Sequence, residues 1–170
     1  MKLGSLAAGA LLALFTVTDL HAQQPQAPAA APPAPIPGPT LAQALKAMDL
    51  AKAAADKINV KLSCVVVDSR GDLVAVARMD GARYYTTDVA RGKALTSATF
   101  GRPSAEMIQF GSTPMFQNFN TAAQGRLYPI QGALPIQKNN QTIGAMGCSG
   151  ASSQPLTTSA MQQSTLRVFS

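Results

Sequence analysis

A chain of 170 residues carrying a net charge of +6, one histidine and two cysteines has room for one domain and offers few groups for metal or acid–base chemistry. Tryptophan is absent and Glu106 is the sole glutamate, so a hydrolase built on paired carboxylates is a poor fit. The arginines are scattered over loops and strand ends rather than gathered into a stripe, which argues against nucleic acid as a partner.

The chain opens with Lys2, an apolar run from Leu6 to Val17, and a small residue at Ala22. That pattern predicts a signal peptide over residues 1–22, cleaved after Ala22, and therefore a periplasmic or secreted protein. The run is too short to span a bilayer, and no later stretch is apolar enough, so no integral membrane segment is expected after cleavage. An uncleaved N-terminal anchor is the alternative. Lys2 and Asp19 cancel, so cleavage leaves the net charge of +6 unchanged. Residues 23–39 form a Pro/Ala tract without charge or aromatic side chain, read as an extended, partly polyproline II tether.

Residues 40–170 are then the folded domain. Leu41 to Ile58 reads as a helix, with Leu41, Ala44, Leu45, Met48, Ala51, Ala55 and Ile58 on one stripe and Thr40 as its N-cap. Leu62 to Val67 is a β-branched strand. Asp68 to Asp72 is turn chemistry with Gly71 at positive φ, and Leu73 to Met79 returns as a second strand. After the Asp80-Gly81 corner, Thr86 or Thr87 is positioned to cap a helix running to Phe100, with Val89, Leu95 and Ala98 inward. Gly101-Arg102-Pro103 breaks it, and Ser104 to Phe110 fits a further short helix. Gly111 to Pro129 reads as an irregular segment, long enough to be a lid, a binding loop or an oligomer contact. Ile130 to Ile136 and Thr142 to Cys148 form a second strand pair reversed at Asn139-Asn140, and Leu156 to Phe169 a weak C-terminal helix. Hairpins in place of βαβ crossovers predict an α+β layered domain, a mostly antiparallel sheet of 4–5 strands flanked by helices.

These residues carry a resemblance. Val65-Val66-Val67-Asp68, Gly71-Asp72-Leu73-Val74-Ala75 and Arg78-Met79-Asp80-Gly81-Ala82 are followed by Ala90, Lys93-Ala94 and Thr96, then by Pro135-Ile136 and the run Ile143 to Ala151. Taken in this order they resemble the GlcG/HbpS-like family of haem-binding or haem-degrading domains, which includes the C-terminal domain of PduO. The resemblance covers Leu41 to Ala151. It implies a profilin-like or roadblock-like fold, homo-oligomers and, for some exported members, haem binding with a redox-sensing or iron-related role. Two departures stand out. Gly132-Ala133-Leu134-Pro135 replaces a Gly-Gly-Val-Pro run, and Ser152 to Thr158 carries no charge where relatives begin their last helix with acidic residues.

The chemistry available narrows this expectation. His21, within the predicted signal peptide, is the only histidine, which removes His-ligated zinc, Ser-His-Asp or Cys-His nucleophiles, and a His axial ligand to haem. An iron ligand would have to be a Met, Tyr or Cys; Tyr84 and Tyr85 are the best placed, and Met48 and, beside the corner, Met79 come next. Each also has a plainer reading, Met48 as core and the tyrosines as surface or interface residues. Arg78, Arg83, Lys93 and Arg126, with Asp80 among them, are the candidate ligand-binding polar groups. Guanidinium groups suit carboxylates, but pairing with Asp68, Asp72, Asp80 and Asp88 as ordinary salt bridges is the competing reading. An acid/base pair from Asp80, Asp88 and Glu106 requires a fold that brings two of them together.

In a profilin-like topology the strands holding Cys64 and Cys148 are neighbours. An oxidising compartment then favours a disulfide, whereas buried free thiols are the alternative. Gly144, Gly147 and Gly150 lie on and just after a strand with no clear helix to follow, so they fit close packing better than a dinucleotide site. The expected function is an exported binder of a small planar or anionic ligand, haem foremost. The alternatives are a non-catalytic oligomeric accessory subunit or an enzyme acting on a small organic acid.

Overall fold

The computed structural model describes residues 38–150 and 168–169. The predicted signal peptide, nearly all of the linker and most of the predicted last helix lie outside the described residues. Thr40 caps α1 (Leu41–Lys57), its hydroxyl accepting from the Gln43 amide while the Gln43 side chain reaches back to the Thr40 amide. The side of α1 that faces the sheet is Ala44, Ala47, Met48, Ala51 and Ala55. Leu41, Leu45 and Ile58, expected on the inner stripe, point outward instead. Four alanines in the contact let the helix axis approach the sheet closely, and the larger leucines are left to the rim.

β1 (Ser63–Asp68) and β2 (Leu73–Arg78) form the first hairpin. The Asp68 carboxylate accepts from the Arg70 and Asp72 amides, and Gly71 takes a φ of +83°. The register slips between Val66 and Val67, a bulge next to the turn. β3 (Ala133–Lys138) and β4 (Gln141–Ser149) form the second hairpin, with Asn139 and Asn140 both left-handed in its two-residue turn. β3 starts three residues later than the sequence pattern implies, because Gly132 at φ +129° redirects the chain just before it.

The two hairpins join into one four-stranded antiparallel sheet, order β2-β1-β4-β3. Adjacent residues of β1 serve opposite layers. Cys64 and Val66 join the α1-side core with Leu134, Ile136, Met146 and Cys148. Val65 and Val67 join Ala90, Ala94, Leu95, Met107, Phe116 and Ala145 on the other side. Val168 and Phe169 are helical and pack on the α1-side core.

The second layer is α2 (Thr86–Phe100), a 3-10 segment (Ser104–Phe110) and α3 (Pro114–Ala122). α3 occupies part of the stretch expected to be irregular. Thr113 caps it by accepting from the Phe116 amide, and Pro114 begins it. α2 lies directly on β4: a Cβ added at Gly147 would sit 2.4 Å from the Ala90 carbonyl oxygen and 2.8 Å from the Ala94 amide nitrogen. The glycine is there to admit the helix. No helix of the described residues is long and apolar enough to cross a membrane.

Candidate functional site

The Asp80–Thr86 bend is built by β2 ending and α2 starting. Met79 and Ala82 turn inward and are buried, and the Met79 amide donates to the Leu62 carbonyl. Gly81 adopts φ +82° between them, so the chain reverses without exposing either apolar residue. Arg78 reaches across to the Ala82 carbonyl at 3.3 Å. The remaining side chains, Asp80, Arg83, Tyr84 and Tyr85, face outward.

A chain of hydroxyls ties this bend to the sheet. Thr86 donates to the Arg83 carbonyl at 2.6 Å, so the 2.8 Å contact between Ser63 and Thr86 has Ser63 as donor, and Thr87 in turn donates to Ser63 at 3.3 Å. Thr86 is therefore not the N-cap expected of it. Its hydroxyl is fully buried and turned to β1, while Tyr85 occupies the cap position with no side-chain cap. No sequence signal marked Ser63 as the anchor, because its partner lies 23 residues on.

Tyr84 and Tyr85 meet edge to face, centroids 5.5 Å apart, and the Arg83 guanidinium lies 5.5 Å from the Tyr85 ring centroid. Tyr84 is 85% exposed and Tyr85 40%. Among the described residues, neither Arg78 nor Arg83 forms an ion pair with a carboxylate; the pairs found are Lys52–Asp49, Lys61–Asp56 and Arg70–Asp72. The salt-bridge reading of Arg78 and Lys93 is thereby corrected: their geometry gives each a backbone carbonyl instead.

The other predicted residues lie elsewhere. Lys93 is on the inner side of α2, only 8% exposed, and donates to the Cys148 carbonyl at 3.3 Å beside Gly132. Burial pushes its ammonium below the usual lysine range. Arg126 lines a separate cleft of about 230 Å³ with Asp88, Arg91 and Tyr128, its Nε donating to the Ala123 carbonyl. Tyr128 lies so close over Gly92 that no side chain fits there. The sequence reading passed over Arg91 and Tyr128; a Gly on a helix facing an aromatic 36 residues later leaves no local pattern. Met48 is 1% exposed in the α1-side core, which removes it as an iron ligand, and Met79 is buried as well. No group of three or more His, Cys, Asp or Glu able to hold a metal occurs among the described residues.

Cys64 and Cys148 stand directly opposite in the β1–β4 register and are joined by a disulfide, Cα atoms 4.1 Å apart, on the α1 side of the sheet. That bond closes the two hairpins together and leaves no free thiol among the described residues.

Helices on both faces of a single four-stranded antiparallel sheet, with an aromatic and basic corner between β2 and α2, define a layered α+β fold. The chain belongs to the HbpS-like family: the family model described as haem degrading protein HbpS-like matches residues 40–160. Protein GlcG of Escherichia coli K12 is 34% identical over 98 residues, 56% of this chain and 69% of that protein. A double mutant of Streptomyces reticuli HbpS superposes with a TM-score of 0.69 at 26% identity, over 83% of this chain and 99% of its own. PduOC, solved as a haem complex, shares the fold at a TM-score of 0.67 and 19% identity, over 76% of this chain and 94% of its own.

Proposed function

We propose that this protein is exported, assembles as a homo-oligomer, and binds haem or a related planar anionic ligand at the Asp80–Thr86 bend. The observation that carries the reading is Tyr84. It is an aromatic side chain 85% exposed, held beside a second tyrosine and an arginine by a bend anchored to the sheet. Exposed rings next to unpaired guanidinium groups recognise flat ligands that end in carboxylates. The family's description as haem degrading and the haem complex of PduOC support the choice of ligand.

Of the residues at or beside the bend, the tyrosines fit haem best. Methionines 48 and 79 are buried, the cysteines are joined to each other, and the chain's single histidine lies in the predicted signal peptide. Tyr84 or Tyr85 is then the iron ligand at the bend, a role tyrosine fills in other haem proteins. Arg83 would hold one carboxylate and the free nitrogen of Arg78 another, while the Asp80 carboxylate turns anions away from its own side of the bend. Bound haem supplies one-electron chemistry, from which a redox-sensing or iron-related role follows. Export rests on the N-terminal pattern of Lys2, Leu6 to Val17 and Ala22.

Titrating the mature protein with hemin tests this. A saturable Soret shift is expected, with affinity falling about tenfold in Arg83→Ala, the worth of one charge-assisted hydrogen bond. Affinity should fall further in Tyr84→Phe or Tyr85→Phe, whichever ligates. A shift that fails to saturate, or one that all three variants retain unchanged, rejects the reading.

A further inference from the structure

A second cavity lies at the far end of α2, where Phe100, the 3-10 segment and α3 meet. Its volume is about 270 Å³. The walls are aromatic: Phe100 stacks on Phe116 with centroids 5.8 Å apart and meets Phe119 edge-on at 5.9 Å. Phe110 joins them, and Met107 and Met115 add two polarizable thioethers that adapt to a guest ring. Phe116 is buried and fixes the floor, whereas Phe119 is 50% exposed at the lip, so a guest would remove apolar surface from water there. The single charged lining residue is Arg102, and no carboxylate lines the cavity. Arg102 makes no ion pair among the described residues.

From this we infer that the cavity is a binding site for a small apolar carboxylate, an acid whose single ring or short branched chain lies among the phenylalanines while its carboxylate pairs with Arg102. Size sets the class. An apolar cavity of about 150 Å³ holds benzene, so this one has room for a ring, a short linker and a carboxylate, and is too small for a tetrapyrrole. Charge sets the sign: one guanidinium in an otherwise apolar lining selects a monoanion over a neutral or cationic analogue. The rigidity comes from the chain itself. Thr113 and Pro114 start α3 at a fixed point, Asn120 accepts from the Leu127 amide to close the segment behind it, and the walls stand preformed. This site shares no residue with the bend and does not depend on haem binding.

The test is titration of the full mature protein with 3-phenylpropanoate and, in parallel, with its neutral amide, followed by ligand-observed NMR and calorimetry. One saturable site per chain is expected for the acid, with the amide weaker by about tenfold or more, the worth of a charge-assisted hydrogen bond. Arg102→Met, at an exposed position, should abolish the preference for the acid, and Phe119→Ala should weaken both ligands. Tyr84→Phe should change neither, which separates failure here from failure at the bend. Equal binding of acid and amide, or an unaffected Arg102→Met variant, overturns the inference. So does absence of binding together with dissociation of the assembly in Phe119→Asp, which would give this face to a second copy of the chain.

Discussion

Replacing Gly147 by alanine tests whether the glycine series on β4 exists for packing. The added Cβ would lie 2.4 Å from the Ala90 carbonyl oxygen, 2.8 Å from the Ala94 nitrogen and 3.1 Å from the Ala94 Cβ. Two of those atoms are helix backbone and cannot rotate away, so α2 must lift by about 1 Å to restore ordinary contact. The helix covers Val65, Val67 and Ala145, all fully buried, and a gap of about that size forfeits a quarter to a half of each dispersion contact. Overpacking of this kind costs about 3 kcal/mol. At a urea slope of about 1.5 kcal/mol per M, the midpoint should fall by about 2 M with the slope unchanged. Gly125→Ala is the control. Gly125 has φ +70° with nothing within 4 Å of its virtual Cβ, so only left-handed strain applies, about 1 kcal/mol. Equal losses in the two variants, or a Gly147→Ala midpoint within error of the parent, would refute the packing explanation.

Two further outcomes concern the buried chemistry. Cys64 and Cys148 are 84 residues apart, so replacing both by alanine should cost about 4 to 5 kcal/mol if the bridge acts by restricting the unfolded chain; two freely alkylated thiols in unreduced native protein would contradict the bond. Lys93 has its folded-state pKa lowered from 10.5 by burial, so between the folded value and 10.5 the unfolded chain binds more protons and stability rises with pH. Below the folded value the cost of the buried charge is present in full. One group can contribute at most about 1.4 kcal/mol per pH unit to this slope, and Lys93→Met should flatten it and be at least as stable at neutral pH; urea midpoints against pH read both, and a flat parent profile would contradict them.

What was readable in the chain was local. The α1 cap at Thr40, the Asp68–Gly71 turn and the Asn139-Asn140 reversal each depend on residues within five positions, and each formed as its chemistry requires. The joining of both hairpins into one sheet followed from the family resemblance, since antiparallel pairing of β1 with β4 spans most of the domain. α3 was passed over because Gln117, Asn118 and Asn120 weaken its helical pattern and only Phe116 is buried, although Thr113-Pro114 is a start signal. The candidate site divided for a tertiary reason. Arg83, Tyr84 and Tyr85 share one bend, but the side of α2 on which Lys93 falls is set by how the helix meets Gly147, and Arg126 belongs to the chain that folds back over Gly92. Charged residues are expected outside, so a lysine buried against a carbonyl left no mark in composition or periodicity.

Resonance Raman spectroscopy of the hemin-loaded mature protein tests the bend most directly, because it reports the atom bound to iron. Iron–tyrosine oxygen modes are predicted for the parent and for Arg83→Ala, and should disappear in Tyr84→Phe or in Tyr85→Phe. Stoichiometric hemin binding with no tyrosine signature, or a signature that survives in the double Tyr84→Phe, Tyr85→Phe variant, would contradict the account.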